Sequence, residues 1–330
     1  MMKTRAPRNR TLTCGTTEMG VYMSGLLRLS EPVSAADVTN VLIHQDVNAA
    51  LPFLPSAFAD LLVLDPPYNV TKNYNGHVFR AQGASEYQAW FDKMIVGMLR
   101  LLKSTSTVYV CSDWQTSALV FPVLSRHLNV RNRITWEREK GRGAKANWKN
   151  NTEDIWFCTV GEDYYFDVES VKLKRRVIAP YREENGEPKD WKVTEDGNFR
   201  LTHPSNIWCD ITIPFWSMPE NTDHPTQKPE KLIAKLILAS TPPNGFILDP
   251  FLGSGTTAVV AKKLGRRFCG IELNQEYCCW AAKRLCIAEN DTTIQGYSEG
   301  VFWDRNSLSV QKSPTASAIS ANQSGGLFNE

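Results

Sequence analysis

The chain is predicted to be an α/β protein with a mostly parallel sheet, and two stretches carry that prediction. Leu61-Leu62-Val63-Leu64 is an apolar run that stops at Asp65-Pro66-Pro67-Tyr68. Phe246-Ile247-Leu248-Asp249 is a second, which passes through Pro250-Phe251-Leu252-Gly253-Ser254-Gly255-Thr256-Thr257 into the helix-like Ala258–Leu264. Short apolar runs bounded by turn residues suit strands buried on both faces. At 330 residues the chain can bury a sizeable core, in one large domain with an insertion.

Residues 1–37, basic at Lys3, Arg5, Arg8 and Arg10, are expected to form a loosely ordered arm. Residues 38–160 then hold the first half of the sheet. Its strands are Val41–His44, Asp60–Leu64, Thr107–Cys111, Arg133–Trp136 and Glu153–Thr159. Between them, Asn69–Ser85 carries Gly and Asn turn signals and is expected to be a mobile loop. Glu86–Leu102 has apolar residues at a helical period, and a further helix runs to about His127. In residues 161–218 aromatics, charges and prolines alternate without a long helix, which marks an insertion. Residues 219–303 return to regular structure: a helix from Pro229 to Ser240, the strand ending at Asp249, its helix, a strand Phe268–Leu273, and a helix capped by Asn274. Residues 304–330 are poor in large apolar groups and are expected to be disordered.

The net charge of +2 neither indicates nor excludes a nucleic-acid partner. Local charge says more. Arg138–Lys149 carries five basic residues (Arg138, Lys140, Arg142, Lys145 and Lys149) against Glu139, and Val171–Arg182 carries five, among them Lys172, Lys174, Arg175 and Arg176, against no acid. Both stretches are candidate phosphate contacts. The eight cysteines form no C-x-x-C pair and the five histidines show no zinc-like spacing, so free thiols in a reducing cytoplasm and no metal are expected. No secretory signal or membrane span is expected either.

The chemistry lies in the two strand exits. At Asp65-Pro66-Pro67-Tyr68 two prolines fix φ and remove two donors, leaving a rigid ledge of one carboxylate, unpartnered carbonyls and an aromatic face. Such a ledge suits a planar ring bearing an exocyclic amine: carboxylate and carbonyl each accept one N–H, and Tyr68 stacks. At Gly253-Ser254-Gly255 the backbone can approach a ligand closely, and Glu272 stands at the tip of the next strand, about twenty residues on, where it can accept ribose hydroxyls. No Gly-Lys-Ser/Thr follows, so a polyphosphate loop is a poor fit, and Asp249 would favour a cationic ligand group.

These residues resemble the DNA amino-methyltransferases. With the ledge ahead of the glycine turn, and His224-Pro225-Thr226-Gln227-Lys228-Pro229 just before the latter, the order is similar to the β group of that family. The resemblance spans roughly residues 40–290. It implies a circularly permuted, Rossmann-like methyltransferase sheet in which 161–218 is the target-recognition region. It further implies that Asp65, Pro66, Pro67 and Tyr68 hold the target base. S-adenosyl-L-methionine would lie on Asp249, Phe251, Gly253, Ser254, Gly255, Thr256, Thr257 and Glu272, with Asp46 near its adenine and Thr226 and Lys228 near its carboxylate. The implied partner is double-stranded DNA. A prokaryotic or phage cytoplasm, a cognate restriction endonuclease that need not touch the chain, and a homodimer fit the same family. In that family Asp at the first ledge position is typical of adenine-N6 enzymes and Ser of cytosine-N4 enzymes, so Asp65 favours adenine. No Pro-Cys dipeptide occurs, which disfavours cytosine C5 chemistry.

Several residues keep a second reading at this stage. Asp46 suits a helix N-cap, Thr226 a helix cap, and Phe251 and Trp148 ordinary packing.

Overall fold

The computed structural model describes residues 6–138, 146–177, 181–194 and 197–305. In chain order the first half comprises α1 (Thr16–Ser24), β1 (Val41–His44), α2 (Val47–Ala50), β2 (Ala59–Leu64), β3 (Lys72–Tyr74), β4 (His77–Phe79), α3 (Ala84–Leu99), β5 (Leu102–Ser112), α4 (Trp114–His127), β6 (Asn129–Glu137) and β7 (Thr152–Thr159). The second half adds β8 (Leu173–Arg176), β9 (Lys192–Thr194), β10 (Gly197–Thr202), β11 (Ile207–Trp208), α5 (Glu230–Ser240), β12 (Phe246–Asp249), α6 (Thr256–Lys263), β13 (Arg267–Glu272), α7 (Gln275–Ile287), β14 (Tyr297–Ser298) and β15 (Val301–Trp303).

The main sheet has eight strands in the order β1-β13-β12-β2-β5-β7-β6-β11. Every strand runs the same way except β7, which is antiparallel to both neighbours. From β2 the chain passes through α3 to β5 on one side, and from β12 through α6 to β13 on the other. The winding therefore reverses between β2 and β12, where open α/β sheets bind ligands. Both central strands are apolar on both faces, as continuous runs must be when helices cover each side. One core face packs α3 and α4 through Phe91, Ile95, Val120 and Leu124. The other packs α5 and α6 through Leu232, Leu236, Val260 and Ala261.

Several expectations are corrected. The described part of 1–37 is not a loose arm. Leu12 packs on Tyr277 and Trp280, Lys283 of α7 bonds Glu18 of α1, and Leu27 extends the sheet beside Ile43. Its apolar residues are too few and irregular to announce this docking. Asn69–Ser85 contains the hairpin β3–β4, turned by Asn75 and Gly76 at φ 50° and 96°, the left-handed pair that a two-residue hairpin needs. The insertion 161–218 contains a sheet rather than irregular chain: β8, β9 and β10 join β14 and β15 in the order β14-β15-β8-β10-β9. Phe302 pairs with Leu173, so β15 joins the sheet of the insertion rather than the regular structure expected for 219–303. Of the expected tail 304–330, residues 306–330 lie outside the described residues, as do Lys140, Arg142 and Lys145.

Every residue of α5 is buried, including two lysines. Lys231 and Lys235 reach Asp210 of the insertion at 2.7 and 2.8 Å. Burial opposes the charge of Asp210, but the ammonium groups of Lys235 and Lys231 outweigh it and hold the carboxyl below its ordinary value. Replacing Asp210 with alanine strands two buried cations. The variant is expected to lose about 3–5 kcal/mol of stability, measured by urea denaturation.

Candidate active site

Parallel strands deliver their carboxyl ends to one edge, and each delivers a side chain to one cavity of about 610 Å³. Asp46 follows β1, Asp65 follows β2, and Glu272 ends β13. Because β7 runs the other way, its first turn lies at this same edge. Glu153 and Thr152 therefore line the cavity with Arg138, which follows β6.

The Asp-Pro-Pro-Tyr ledge forms one side. Tyr87 of α3 donates its hydroxyl to the Pro67 carbonyl at 2.8 Å, so that carbonyl is already engaged, and Pro66 lines the cavity beside it. The Tyr68 hydroxyl lies 3.0 Å from Asp65 Oδ1 and 3.3 Å from Glu153 Oε2. Lys228 Nζ lies 2.6 Å from Asp65 Oδ2, 3.2 Å from the Tyr68 hydroxyl and 3.5 Å from Glu153 Oε2. Arg138 donates to Glu153 Oε1. Burial and the flanking Asp65 and Glu153 carboxylates push the Tyr68 phenol well above its ordinary value, so it stays neutral.

The glycine turn forms the other side. Gly253 and Gly255 have φ of 56° and 86°, which only glycine adopts without strain. A Cβ on Gly253 would meet the His224 ring at 3.0 Å, and one on Gly255 would sit 2.5 Å from Ala281 Cβ. Glu272 holds the turn, with Oε2 accepting from Gly253 N at 2.8 Å and Oε1 from Asn274 N at 2.7 Å. A carboxylate has roughly four lone-pair sites, so these two bonds do not exhaust it. Behind the turn, Arg284 donates to Ser254 O, Thr256 Oγ1 and Glu230. The Thr256 hydroxyl in turn donates to the Lys228 carbonyl at 3.1 Å. Burial and the neighbouring charges of Lys228, Lys72 and Arg284 lower His224 to about 3, so its imidazole is neutral near pH 7.

The expected residues divide as follows. Asp65, Pro66, Pro67, Tyr68, Asp46, Thr226, Phe251, Gly253 and Glu272 line the large cavity. Ser254, Thr256, Thr257, Asp249 and Lys228 line a smaller one beside it, which shares Asp65, Thr226, Phe251 and Gly253. Asp46 both caps α2, accepting from Asn48 N at 2.9 Å, and faces the cavity, so its two readings coexist. Thr226 is not a helix cap, since the N-cap of α5 is Pro229. Phe251 packs against the core and lines both cavities. Trp148 is 94% exposed, which overturns its packing reading. Lys149 is exposed nearby. Lys172, Lys174, Arg175 and Arg176 sit on or beside β8, away from the cavity lining. There Lys172 pairs with Glu169 at 2.6 Å, Lys174 lies 4.1 Å from the Trp303 ring centre, and Arg175 is 3.9 Å from Asp304.

Sequence reasoning missed Glu153, His224, Tyr74 and Tyr277 as cavity residues. Only His224 carried a signal, standing at the head of the His-Pro-Thr-Gln-Lys-Pro run. The position of Glu153 depends on the antiparallel course of β7, which no local pattern announces.

Residues 59–283 match the family described as DNA methylase. The chain belongs to that family. It is 30% identical to the DNA adenine methyltransferase YhdJ of Escherichia coli over 267 residues, 79% of this chain and 87% of that protein. It is also 30% identical to the type II methyltransferase M.HpaI of Haemophilus parainfluenzae, covering 74% of this chain and 73% of that one. The fold is similar to that of the PvuII DNA methyltransferase (cytosine-N4-specific), with a TM-score of 0.56 and 19% identity over 74% of this chain and 85% of that one. The expected family and the mostly parallel α/β sheet are thereby borne out.

The glycine turn makes a paired prediction. Gly255→Ala adds a left-handed strain of about 1–2 kcal/mol to overpacking of about 1–3 kcal/mol against Ala281. Gly76→Ala, also at positive φ but with nothing within 4 Å of its Cβ, adds the strain alone. Denaturation of the two variants is expected to show the larger loss for Gly255.

Proposed function

We propose that the protein is a site-specific DNA methyltransferase acting on the N6 amine of an adenine flipped out of duplex DNA, with S-adenosyl-L-methionine as methyl donor. One observation carries this reading: a single 610 Å³ cavity is lined both by Asp65, Pro66 and Tyr68 and by Gly253 and Glu272. A base on the ledge and a nucleoside on the turn would share one chamber. The cavity falls in the usual size range for small-molecule sites. Its groups fit the cofactor: Glu272 to accept from ribose hydroxyls, the close approach at Gly253, Phe251 for the apolar arm, and, from the adjoining smaller cavity, Asp249 for the amino group. When bound, the cofactor supplies a sulfonium methyl group to an attacking nitrogen.

An exocyclic amine is a weak nucleophile because its lone pair is delocalised into the ring. Asp65 and the Pro66 carbonyl draw the two N–H bonds out of conjugation, and Asp65 accepts the proton released after attack; such general-base action contributes roughly 10²–10⁴-fold. Tyr68 stacks on the flipped base and recovers about 1–3 kcal/mol of the unstacking cost. Asp at the first ledge position and the likeness to YhdJ, named as an adenine enzyme, support adenine over cytosine N4. The likeness to type II methyltransferases supports a place in a restriction–modification system. The loop carrying Arg138, Trp148 and Lys149 adjoins the cavity and is assigned to DNA around the flipped nucleotide. The insertion, together with β14 and β15, is assigned to sequence recognition.

Asp65→Ala is expected to reduce methyl transfer at least 100-fold while cofactor affinity stays within a few-fold. Nucleoside analysis of DNA treated with the parent should show N6-methyladenine; N4-methylcytosine would overturn the adenine assignment.

Burial, with further repulsion from Asp65 and Glu272, pushes the Asp249 carboxyl up to about 7. A cationic amino group favours its ionised form, so below that pH a proton must leave before binding. Cofactor affinity is therefore expected to weaken by up to about tenfold per unit as pH falls below 7. Calorimetric titration across pH 6–9 checks this, and Asp249→Asn should flatten the profile.

A further inference from the structure

The Lys228 ammonium has three hydrogens. It has three acceptors on the ledge side: Asp65 Oδ2 at 2.6 Å, the Tyr68 hydroxyl at 3.2 Å and Glu153 Oε2 at 3.5 Å. Two of its hydrogens are thereby committed at hydrogen-bond distance, and Glu153 adds an ion pair. The residue is 7% exposed and does not line the large cavity, whereas Glu153 does. Glu153 is itself held on its other oxygen by Arg138. Two carboxylates and two cations thus alternate in the order Asp65, Lys228, Glu153, Arg138, the first three meeting at the phenol, and the group is charge-balanced. We infer that Lys228 and Glu153 are positioning residues for methyl transfer, which hold the Asp65 carboxylate and the Tyr68 ring in their reactive orientation, and that Lys228 does not bind the cofactor.

The inference rests on the proposed amine methylation. Asp65 must present a lone pair to the amine, and Tyr68 must keep its ring parallel to the base. Each residue alone has free torsions. Asp65 is fixed because one oxygen takes the ammonium and the other takes the phenol, and the phenol is fixed because both carboxylates and the ammonium converge on it. Burial works against the charge of Lys228, but Asp65 and Glu153 outweigh burial and raise it above an ordinary lysine, so the contact persists across the working pH range. The Lys228 backbone is pinned in turn by Thr256 at the start of α6.

The test uses the full chain with cofactor and unmethylated duplex DNA. For Lys228→Ala and Glu153→Gln, the single-turnover rate and the cofactor dissociation constant are measured separately. Both variants are expected to slow transfer tenfold or more, with cofactor affinity within twofold of the parent. Added ethylamine should partly restore the Lys228→Ala rate, a response that a general loss of packing would not give. A tenfold weaker cofactor affinity in Lys228→Ala, with a parental rate at saturating cofactor, overturns the inference and returns Lys228 to the cofactor. A slow Lys228→Ala enzyme that ethylamine leaves unchanged also overturns it. Should Lys228→Ala not fold, Glu153→Gln decides alone: a parental rate overturns the inference, and a slow rate with parental cofactor affinity supports it. Absence of methylated nucleoside with the parent itself would instead refute the proposed function.

Discussion

The contact between Lys228 and Asp65 is the constraint on which the rest of the site depends. It joins residues 163 positions apart in the chain, one on the ledge after β2 and one on the approach to α5. A lysine this deeply buried is tolerated only when its charge is met, and a carboxylate beside a phenol needs a cation in the same way. Each therefore requires the other, and Glu153 with Arg138 completes the balance. The approach to α5 is also fastened to the glycine turn, through Thr256 and through Arg284. The two sides of the cavity are consequently parts of one hydrogen-bonded unit.

Sheet topology explains why so many polar groups meet at one edge. Parallel strands leave their exits together, and the winding reverses between β2 and β12, which opens a crevice there. The single antiparallel strand β7 adds a carboxylate from its beginning rather than from its end. Without that reversal Glu153 would lie at the far edge of the sheet, remote from Asp65. The hairpin β3–β4 covers the crevice from the other direction, with Asn75 bonded to Asn274 and Glu276 at the start of α7.

The second sheet has a different logic. It is assembled from β8–β10 and from β14–β15, which are separated in the chain by the segment that carries α5, the glycine turn and α7. Its apolar side chains Leu173 and Phe302 share a core with α5. The buried Asp210–Lys231–Lys235 cluster anchors the insertion to that helix, so part of the insertion serves the core as well as any partner. Several of its basic residues are already engaged: Lys172 by Glu169, Arg175 by Asp304, and Lys174 by the Trp303 ring.

What the sequence determined by itself was whatever local chemistry encodes. The buried strands showed as apolar runs, the ledge as a double proline, the glycine turn as two glycines between strand and helix, and the cap of α7 as Asn274, whose side chain accepts from Tyr277 N at 3.1 Å. Each rests on backbone restrictions or on burial of neighbouring residues, so a few adjacent positions suffice. The tertiary structure decided what depends on pairing between distant segments. The direction of β7 placed Glu153 at the ledge. The pairing of Phe302 with Leu173 moved β15 out of the regular structure expected for 219–303. The docking of Leu12 on Tyr277 and Trp280 turned an expected loose arm into part of the fold. Lys228 shows the division most clearly: its motif marked it as a site residue, but only the folded distances to Asp65, Tyr68 and Glu153 place its ammonium against the ledge. A charge settles where opposite charge is nearest, and that is a property of the fold rather than of the motif.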